Sequence, residues 1–294
     1  MSNTLERYNG DDEFIGLLFS IWHKKLFIVS ITTMFSIISV IYSLGVSDYY
    51  TSNATLAPVN EDDSISSKLG SLSSVASITG FSLPDSKSSK AKEAIVRIES
   101  YDFFNNYFLP NVDIKNITSV KSWDKTNNKL IYYQDDNNQQ SHQDAYKFYK
   151  NMIQITEYKS NGFISLSIMH KSPFVAKDWL DIIIYNINES MRKKDIETSQ
   201  NAINYLNETV KSTNIQSVKN AVANLLESQI QIQMIANSNK DYVLKVLDSP
   251  YVPQEKSSPS RALIVILGSI IGLIFSLFAV VSRLAIHNLK KLKN

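Results

Sequence analysis

Two stretches of this chain carry no charged residue for the length of a bilayer, one near each end, and that pattern restricts the fold more than any motif does. Leu26 to Val46 is uncharged, although Ser30, Thr32, Thr33, Ser36, Ser39 and Ser43 make it only moderately apolar. Its 21 residues at ~1.5 Å rise cross about 31 Å, the thickness of the hydrocarbon core. Ala262 to Ser282 is a second such run, bracketed by Arg261 and Arg283. Charge-free runs of this length read as membrane spans rather than buried core helices. They leave roughly 215 residues between them, with short tails outside. The first run is too long for a signal-peptide core, and Val46-Ser-Asp-Tyr-Tyr50 lacks the small-residue spacing of a cleavage site, so it reads as an anchor. Lys24 and Lys25 precede the first span, and Arg283, Lys290, Lys291 and Lys293 follow the second. By the positive-inside rule both tails are expected in the cytoplasm and the middle in the periplasm.

The formal net charge of +2 gives no bias toward a polyanion, and nucleic acid is excluded as a partner. The absence of cysteine excludes disulfides, thiolate chemistry and cysteine metal sites. Asn53, Asn116, Asn188 and Asn207 lie in Asn-x-Ser/Thr sequons, which read as chance in so Asn- and Ser-rich a chain.

Before the first span, Asp11 to Lys25 places acids at a helix start, lysines at its end, and Phe14, Leu17, Leu18, Ile21 and Trp22 on one face. This predicts an amphipathic helix on the inner leaflet, anchored by Trp22, Lys24 and Lys25. Tyr49–Pro58 reads as a strand, and residues 59–90 are Ser-rich with scattered apolar positions. Lys90–Leu109 predicts two short helices with Ser100 capping the second and Pro110 ending it. A further short helix is expected from Ser141. Met152–Tyr158 and Phe163–Met169, joined through Asn161-Gly162, form a hairpin pattern. Ser172-Pro173 then opens a helix without Gly or Pro to about residue 212, whose second half is nearly all polar. Such a helix should project and lean on other helices. A return helix is expected over about 215–237, then a strand over Tyr242–Leu247.

Between strand and second span lies Pro250-Tyr-Val-Pro253-Gln-Glu-Lys-Ser-Ser258-Pro259-Ser-Arg261. Pro250 and Pro253 keep the backbone extended. Ser258 and Pro259 are expected to cap and open the span helix, with Arg261 among headgroups, so that the segment is a stiff coupler. Within the span, Gly268 and Gly272 stand four apart, a spacing that lets helices approach closely.

Sites of chemistry are missing. There is no Gly-x4-Gly-Lys-Ser/Thr loop and no Gly-x-Ser-x-Gly elbow. His23, His142, His170 and His287 are scattered without metal spacing. The acid pairs Asp62-Asp63 and Asp135-Asp136 sit in polar, turn-like stretches that read as solvated loop rather than glycosidase carboxylates. Trp179 is expected to fill core rather than stack on a sugar. No catalysis, metal or cofactor is expected.

The residues carry a resemblance. Asp12-Glu-Phe-Ile-Gly-Leu-Leu18 leads to Trp22 before the first span; Gly80–Pro84 is followed by Ala94-Ile-Val-Arg-Ile-Glu-Ser-Tyr-Asp-Phe-Phe104; Ser172-Pro173 leads through Ala176 to Trp179–Asn188; and Val246-Leu-Asp-Ser-Pro250 leads to Ser258-Pro259-Ser-Arg261-Ala-Leu and Gly268. Together these resemble the polysaccharide co-polymerases, the Wzz-type chain length determinants. The resemblance implies an α/β membrane protein of the inner membrane, in which two transmembrane helices flank a periplasmic α/β base domain with a long protruding helix. The expected division is a cytoplasmic tail (1–25), span (26–46), periplasmic domain (47–249), coupling segment (250–261), span (262–282) and cytoplasmic tail (283–294). It also implies a homo-oligomer that acts with a Wzy-type polymerase on a growing undecaprenyl-linked glycan and sets the modal length of lipopolysaccharide O-antigen. The lack of the kinase domain carried by, or paired with, some capsule and exopolysaccharide relatives favours this class 1, O-antigen branch; a length regulator for capsule, exopolysaccharide or enterobacterial common antigen is the alternative within the family. A two-span periplasmic sensor is the reading from another class.

Overall fold

A computed structural model describes Trp22 and residues 24–59, 86–133, 141–160 and 162–292. Residues 11–21 of the expected amphipathic helix, the Ser-rich stretch 60–85, both acid pairs and Asn161 of the hairpin turn lie outside the described residues. The chain divides into two compact units, 1–48 with 257–294, and 49–256. The first holds two apolar helices, α1 (Lys25–Gly45) and α8 (Arg261–Leu292), each long enough to cross a membrane.

The second unit mixes α and β structure. Strand β1 (Tyr50–Pro58) is the organising strand, and Ser52, Ala54 and Leu56 alternate into the interior as a period of two requires. After it come α2 (Ser86–Ile98), α3 (Tyr101–Phe103) continuing through a π turn (Phe104–Phe108) and a 3-10 turn (Leu109–Asn111), and α4 (Ile114–Thr118). A two-stranded sheet, β2 (Val120–Asp124) with β3 (Lys129–Tyr132), precedes α5 (His142–Met152). The main sheet is completed by β4 (Ile153–Glu157), β5 (Ile164–His170) and, after the long helix α6 (Pro173–Ser212) and its return α7 (Gln216–Ser238), β6 (Leu244–Asp248). Its order is β4-β5-β1-β6, antiparallel throughout, with Tyr50 opposite His170 and Leu56 opposite Ile164.

The local signals account for these boundaries. Ser100 accepts from the Phe103 amide at 3.2 Å, and Ser141 from that of Gln143 at 3.2 Å, as N-caps do. Gly162 takes φ +70° in the β4–β5 turn, where a β-carbon would be strained. Pro173 opens α6, but the Ser172 side chain makes no capping bond. Instead, His170 Nδ1 accepts from the Ser172 amide at 3.0 Å.

The core lies between the sheet and the helices. Ala54, Leu56, Leu166 and Ile168 meet Leu180, Ile183 and Ile187 of α6, with Ala94 and Ile98 of α2. An aromatic group fills one end: Phe108 packs on Tyr149 at 4.7 Å and edge-on to Trp179 at 5.5 Å. Trp179 is 4% exposed and therefore core, as its sequence setting suggests. Burial pushes the Tyr149 phenol well above its usual range, and that hydroxyl donates to the Ile98 carbonyl at 2.9 Å.

One side chain decides where the α6–α7 excursion rejoins the sheet. Asn188, 4% exposed, accepts from the amides of Tyr242 (3.2 Å), Val243 (2.8 Å) and Leu244 (3.0 Å). Its Nδ2 donates to the carbonyls of Leu244 (3.0 Å) and Ile184 (3.2 Å). This corrects the expected strand start at Tyr242: β6 begins at Leu244, because the preceding amides bond to Asn188. The Asn188 sequon is accordingly buried and structural.

The excursion loses core contact with distance. Along α6 the buried positions run from Pro173 to Met191 and end at Ser199. Forty residues at ~1.5 Å per residue extend about 60 Å, and beyond Ser199 no residue of α6 is buried. In α7 only Val222 and Ala236 are buried.

Two stability predictions come from these contacts. Asn188→Ala strands three amides and the Leu244 carbonyl in the interior, while the Ile184 carbonyl keeps its helical amide partner. At 1–3 kcal/mol per orphaned group, partly relieved by relaxation, the expected loss is about 4 kcal/mol, or roughly 10 °C in Tm for the purified full chain in detergent. The second concerns His170, whose buried ring is neutral. Burial is the main cause that lowers its pKa from 6.5 to about 4, with the Lys171 charge adding to it. Nε2 donates to the Asn116 carbonyl at 3.0 Å, so a proton at Nδ1 would also displace the Ser172 amide. A depressed folded pKa gives stability that is complete above pH 6.5 and lost as pH falls toward 4, on the order of 3 kcal/mol. Urea titrations across that window should show this slope, and His170→Gln should flatten it.

Candidate functional site

The residues singled out from sequence fall on the helix pair α1/α8 and on the chain that leads into α8. In the helix pair, Gly268 and Gly272 face α1. A β-carbon on Gly268 would lie 2.7 Å from Ser39 Cβ, and one on Gly272 would lie 2.6 Å from Phe35 Cβ, closer than real contacts allow. The small side chains therefore serve an approach within one chain. Between them Ser36 and Ser269 share a hydrogen bond of 2.7 Å, and each also reaches a carbonyl one turn back, Thr32 and Val265. Such an interhelical bond contributes about 0.6–2 kcal/mol in lipid. Phe35 and Phe275 close the contact at 5.6 Å.

The α1 exit and α8 start are tied by an ion pair. Arg261 Nη2 donates to Asp48 Oδ1 at 3.0 Å. A cation at a helix N-terminus opposes the macrodipole, and the Asp48 carboxylate offsets this. The sequence places Arg261 among headgroups; its partner Asp48 carries no sequence signal beyond its place after the first span.

The cap of α8 differs from expectation. Ser258 and Pro259 do not open the helix; it begins at Arg261, and the Ser260 carbonyl accepts from the amides of Leu263 (3.0 Å) and Ile264 (3.2 Å). In the other unit, Pro250 is half-buried and Pro253 buried. The Tyr251 carbonyl between them accepts from the buried Ser52 hydroxyl at 2.8 Å, so this part of the segment is fastened to β1.

At the start of α1, Trp22 is 71% exposed and the Lys25 ammonium lies over its ring at 5.5 Å. His142 is exposed and its Nδ1 contacts Asn105 Oδ1 at 3.1 Å; His170 is buried in hydrogen bonds to backbone. Among the described residues no three His, Cys, Asp or Glu gather as a metal set.

Because the chain has no cysteine, the helix contact can be tested directly. Ser36→Cys with Ser269→Cys should oxidise to a disulfide within one chain, and adding Gly272→Leu should abolish it. A cross-linked dimer on a non-reducing gel would contradict the intrachain contact.

Comparison with known proteins follows the same lines. Residues 12–130 match the family model described as Wzz, chain length determinant protein. No curated protein matches the sequence. Among solved structures, a full-length bacterial polysaccharide co-polymerase is similar with 14% identity and a TM-score of 0.42, covering 93% of this chain and 98% of that one. A fragment of WzzB, a polysaccharide co-polymerase from Salmonella Typhimurium, has 13% identity and a TM-score of 0.31, covering 72% and 100%. A mutant of the Shigella flexneri lipopolysaccharide O-antigen chain-length regulator has 10% identity and a TM-score of 0.25, covering 71% and 100%. The matched residues 12–130 take in Asp12–Leu18, Trp22 and Ala94–Phe104, three of the stretches on which the resemblance rests.

Proposed function

We propose that this chain is a non-catalytic regulator of polysaccharide chain length in lipopolysaccharide O-antigen biosynthesis. The family match over residues 12–130, which contains the first apolar helix and the mixed α/β unit as far as β3, carries this reading. The chain would cross the inner membrane twice, with α1 and α8 as spans and both tails in the cytoplasm, since Lys24 and Lys25 flank the first span and Arg283, Lys290, Lys291 and Lys293 follow the second. The unit 49–256 would then lie in the periplasm.

A regulator of this kind works by holding, not by bond-making. Paired spans would keep the domain beside a Wzy-type membrane polymerase and its lipid-linked glycan, while α6 and α7 would reach outward. Ile215, Leu225, Ile230 and Met234 are exposed on or beside α7, and a second copy would cover them in a homo-oligomer. Pro250, Pro253, Ser258, Pro259 and Arg261 would transmit constraint between domain and span. Gly268 and Gly272 would keep the spans together, and Trp22, Lys24 and Lys25 would hold the membrane entrance.

The test is the surface lipopolysaccharide length profile, resolved on gels in a deletion strain, after complementation, and after complementation with Pro253→Ala. Modal clustering should vanish on deletion and return with the gene, while Pro253→Ala should broaden the distribution at equal protein abundance. An unchanged profile on deletion would overturn the O-antigen reading.

A further inference from the structure

The helix pair α1/α8 leaves a groove at the end where α8 begins. Val40 and Leu44 of α1, with Ala262 and Ile266 of α8, give it apolar walls around about 400 Å³, and Ser43 and Arg261 are the polar residues that line it. The walls run only five residues on each helix, or about 6 Å at ~1.5 Å rise, so the groove takes the upper part of one alkyl chain and not its whole length.

Both polar residues hold unmet donors. Thr32 and Ser36 return their hydroxyls to carbonyls one turn back on α1, at 2.9 Å and 3.0 Å. Ser43, on the same helix and 2% exposed, does not, and its Oγ has no partner among the described residues. Arg261 Nη2 donates to Asp48 Oδ1 at 3.0 Å, which uses one of the five N–H donors of a guanidinium, and its Nε is buried without a partner among the described residues. A buried donor without an acceptor is costly, more so where no water can reach it. Helix α8 has no acid in its first turn, so its N-terminus adds positive potential beside the guanidinium.

These groups converge on one ligand chemistry. The apolar walls suit an acyl chain, the hydroxyl an ester carbonyl, and the guanidinium a phosphate, whose oxygens it can meet two at a time. A glycerophospholipid carries all three at its head end, whereas a polyprenyl phosphate offers no ester carbonyl to Ser43.

We infer that an anionic glycerophospholipid occupies this groove, with its phosphate on Arg261, a glycerol ester on Ser43 and the top of one chain along Val40, Leu44, Ala262 and Ile266. This rests on the reading of α1 and α8 as spans. The lipid is then a third member of the helix contact, fastening the end of the pair that the close approach at Gly268 and Gly272 does not reach.

The full chain, purified in detergent, is titrated with phosphatidylglycerol, phosphatidylcholine and a short polyprenyl monophosphate, and bound lipid is counted by native mass spectrometry. One phosphatidylglycerol per chain should be retained, about fivefold more tightly than phosphatidylcholine. Arg261→Gln should remove that preference. Ser43→Ala should weaken phosphatidylglycerol roughly threefold and leave polyprenyl phosphate unchanged. Asp48→Asn breaks the ion pair but keeps the guanidinium, and should leave lipid retention intact. The disulfide between Ser36→Cys and Ser269→Cys, formed in each background, reports whether the helices still pair; should Arg261→Gln lose it, Ser43→Ala decides alone. Equal retention of phosphatidylglycerol and phosphatidylcholine, or a preference that survives Arg261→Gln in chains that still cross-link, overturns the site. Polyprenyl phosphate held as tightly as phosphatidylglycerol, with Ser43→Ala without effect, overturns the glycerophospholipid assignment. If carbonate extracts the chain from membranes, the span reading fails and the site fails with it.

Discussion

The domain depends on the closure made by Asn188. The chain leaves the sheet at His170, travels out and back along two helices, and must rejoin β1 in register at β6. No apolar contact can set that register alone, because hydrophobic burial is non-directional. Five hydrogen bonds from one buried amide can, because each has a distance and an angle. Surface ion pairs such as Lys177–Asp181, at 2.7 Å and half-exposed, contribute less than about 1 kcal/mol and do not compete. An unfilled Asn188 site would leave orphaned groups costing several times that.

The helix pair α1/α8 uses a different physics. Both helices are apolar on most of their surface, so in lipid there is no hydrophobic reason for them to meet. What joins them is close approach at Gly268 and Gly272, the Ser36–Ser269 bond, and the Asp48–Arg261 ion pair at one end. The serines and threonines that make the first apolar stretch look weak as a span are in part the ones that make the contact. Thr32, Ser36 and Ser39 recur at helical spacing on the side turned to α8.

Elements whose cause is local were legible in the sequence. The Ser172-Pro173 start and the absence of Gly and Pro afterward marked α6, and Ser100, Ser141 and Gly162 marked their turns and caps. The causes that escaped are long-range or degenerate. Asn188 looked like one more sequon residue, since nothing near it in sequence shows amides 54 to 56 residues away. The β2–β3 sheet was invisible because Val120–Asp124 and Lys129–Tyr132 are short, lysine-containing and joined by a polar turn. At the α8 start, Ser258-Pro259 and Ser260 both offer a serine before the helix, and sequence alone preferred the wrong one. In the site, the glycines were readable by spacing, whereas Asp48 was not, because an ion pair across 213 residues has no local pattern.

The outer α6–α7 hairpin is the part of this unit that its own chain holds least. Beyond Ser199 no α6 residue is buried, and α7 buries only two small or medium side chains. At about 25 cal/mol per Å², such sparse burial offsets little of the ordering cost of more than thirty residues. Polar helices hold through tertiary packing rather than propensity, and here the packing available within the chain is narrow. Tyr205, Leu225, Ile230 and Met234 remain exposed on these two helices, which is the surface a neighbouring copy would bury. The association proposed above would supply packing that the hairpin lacks, and the Asn188-locked base would let neighbouring copies meet in a fixed orientation.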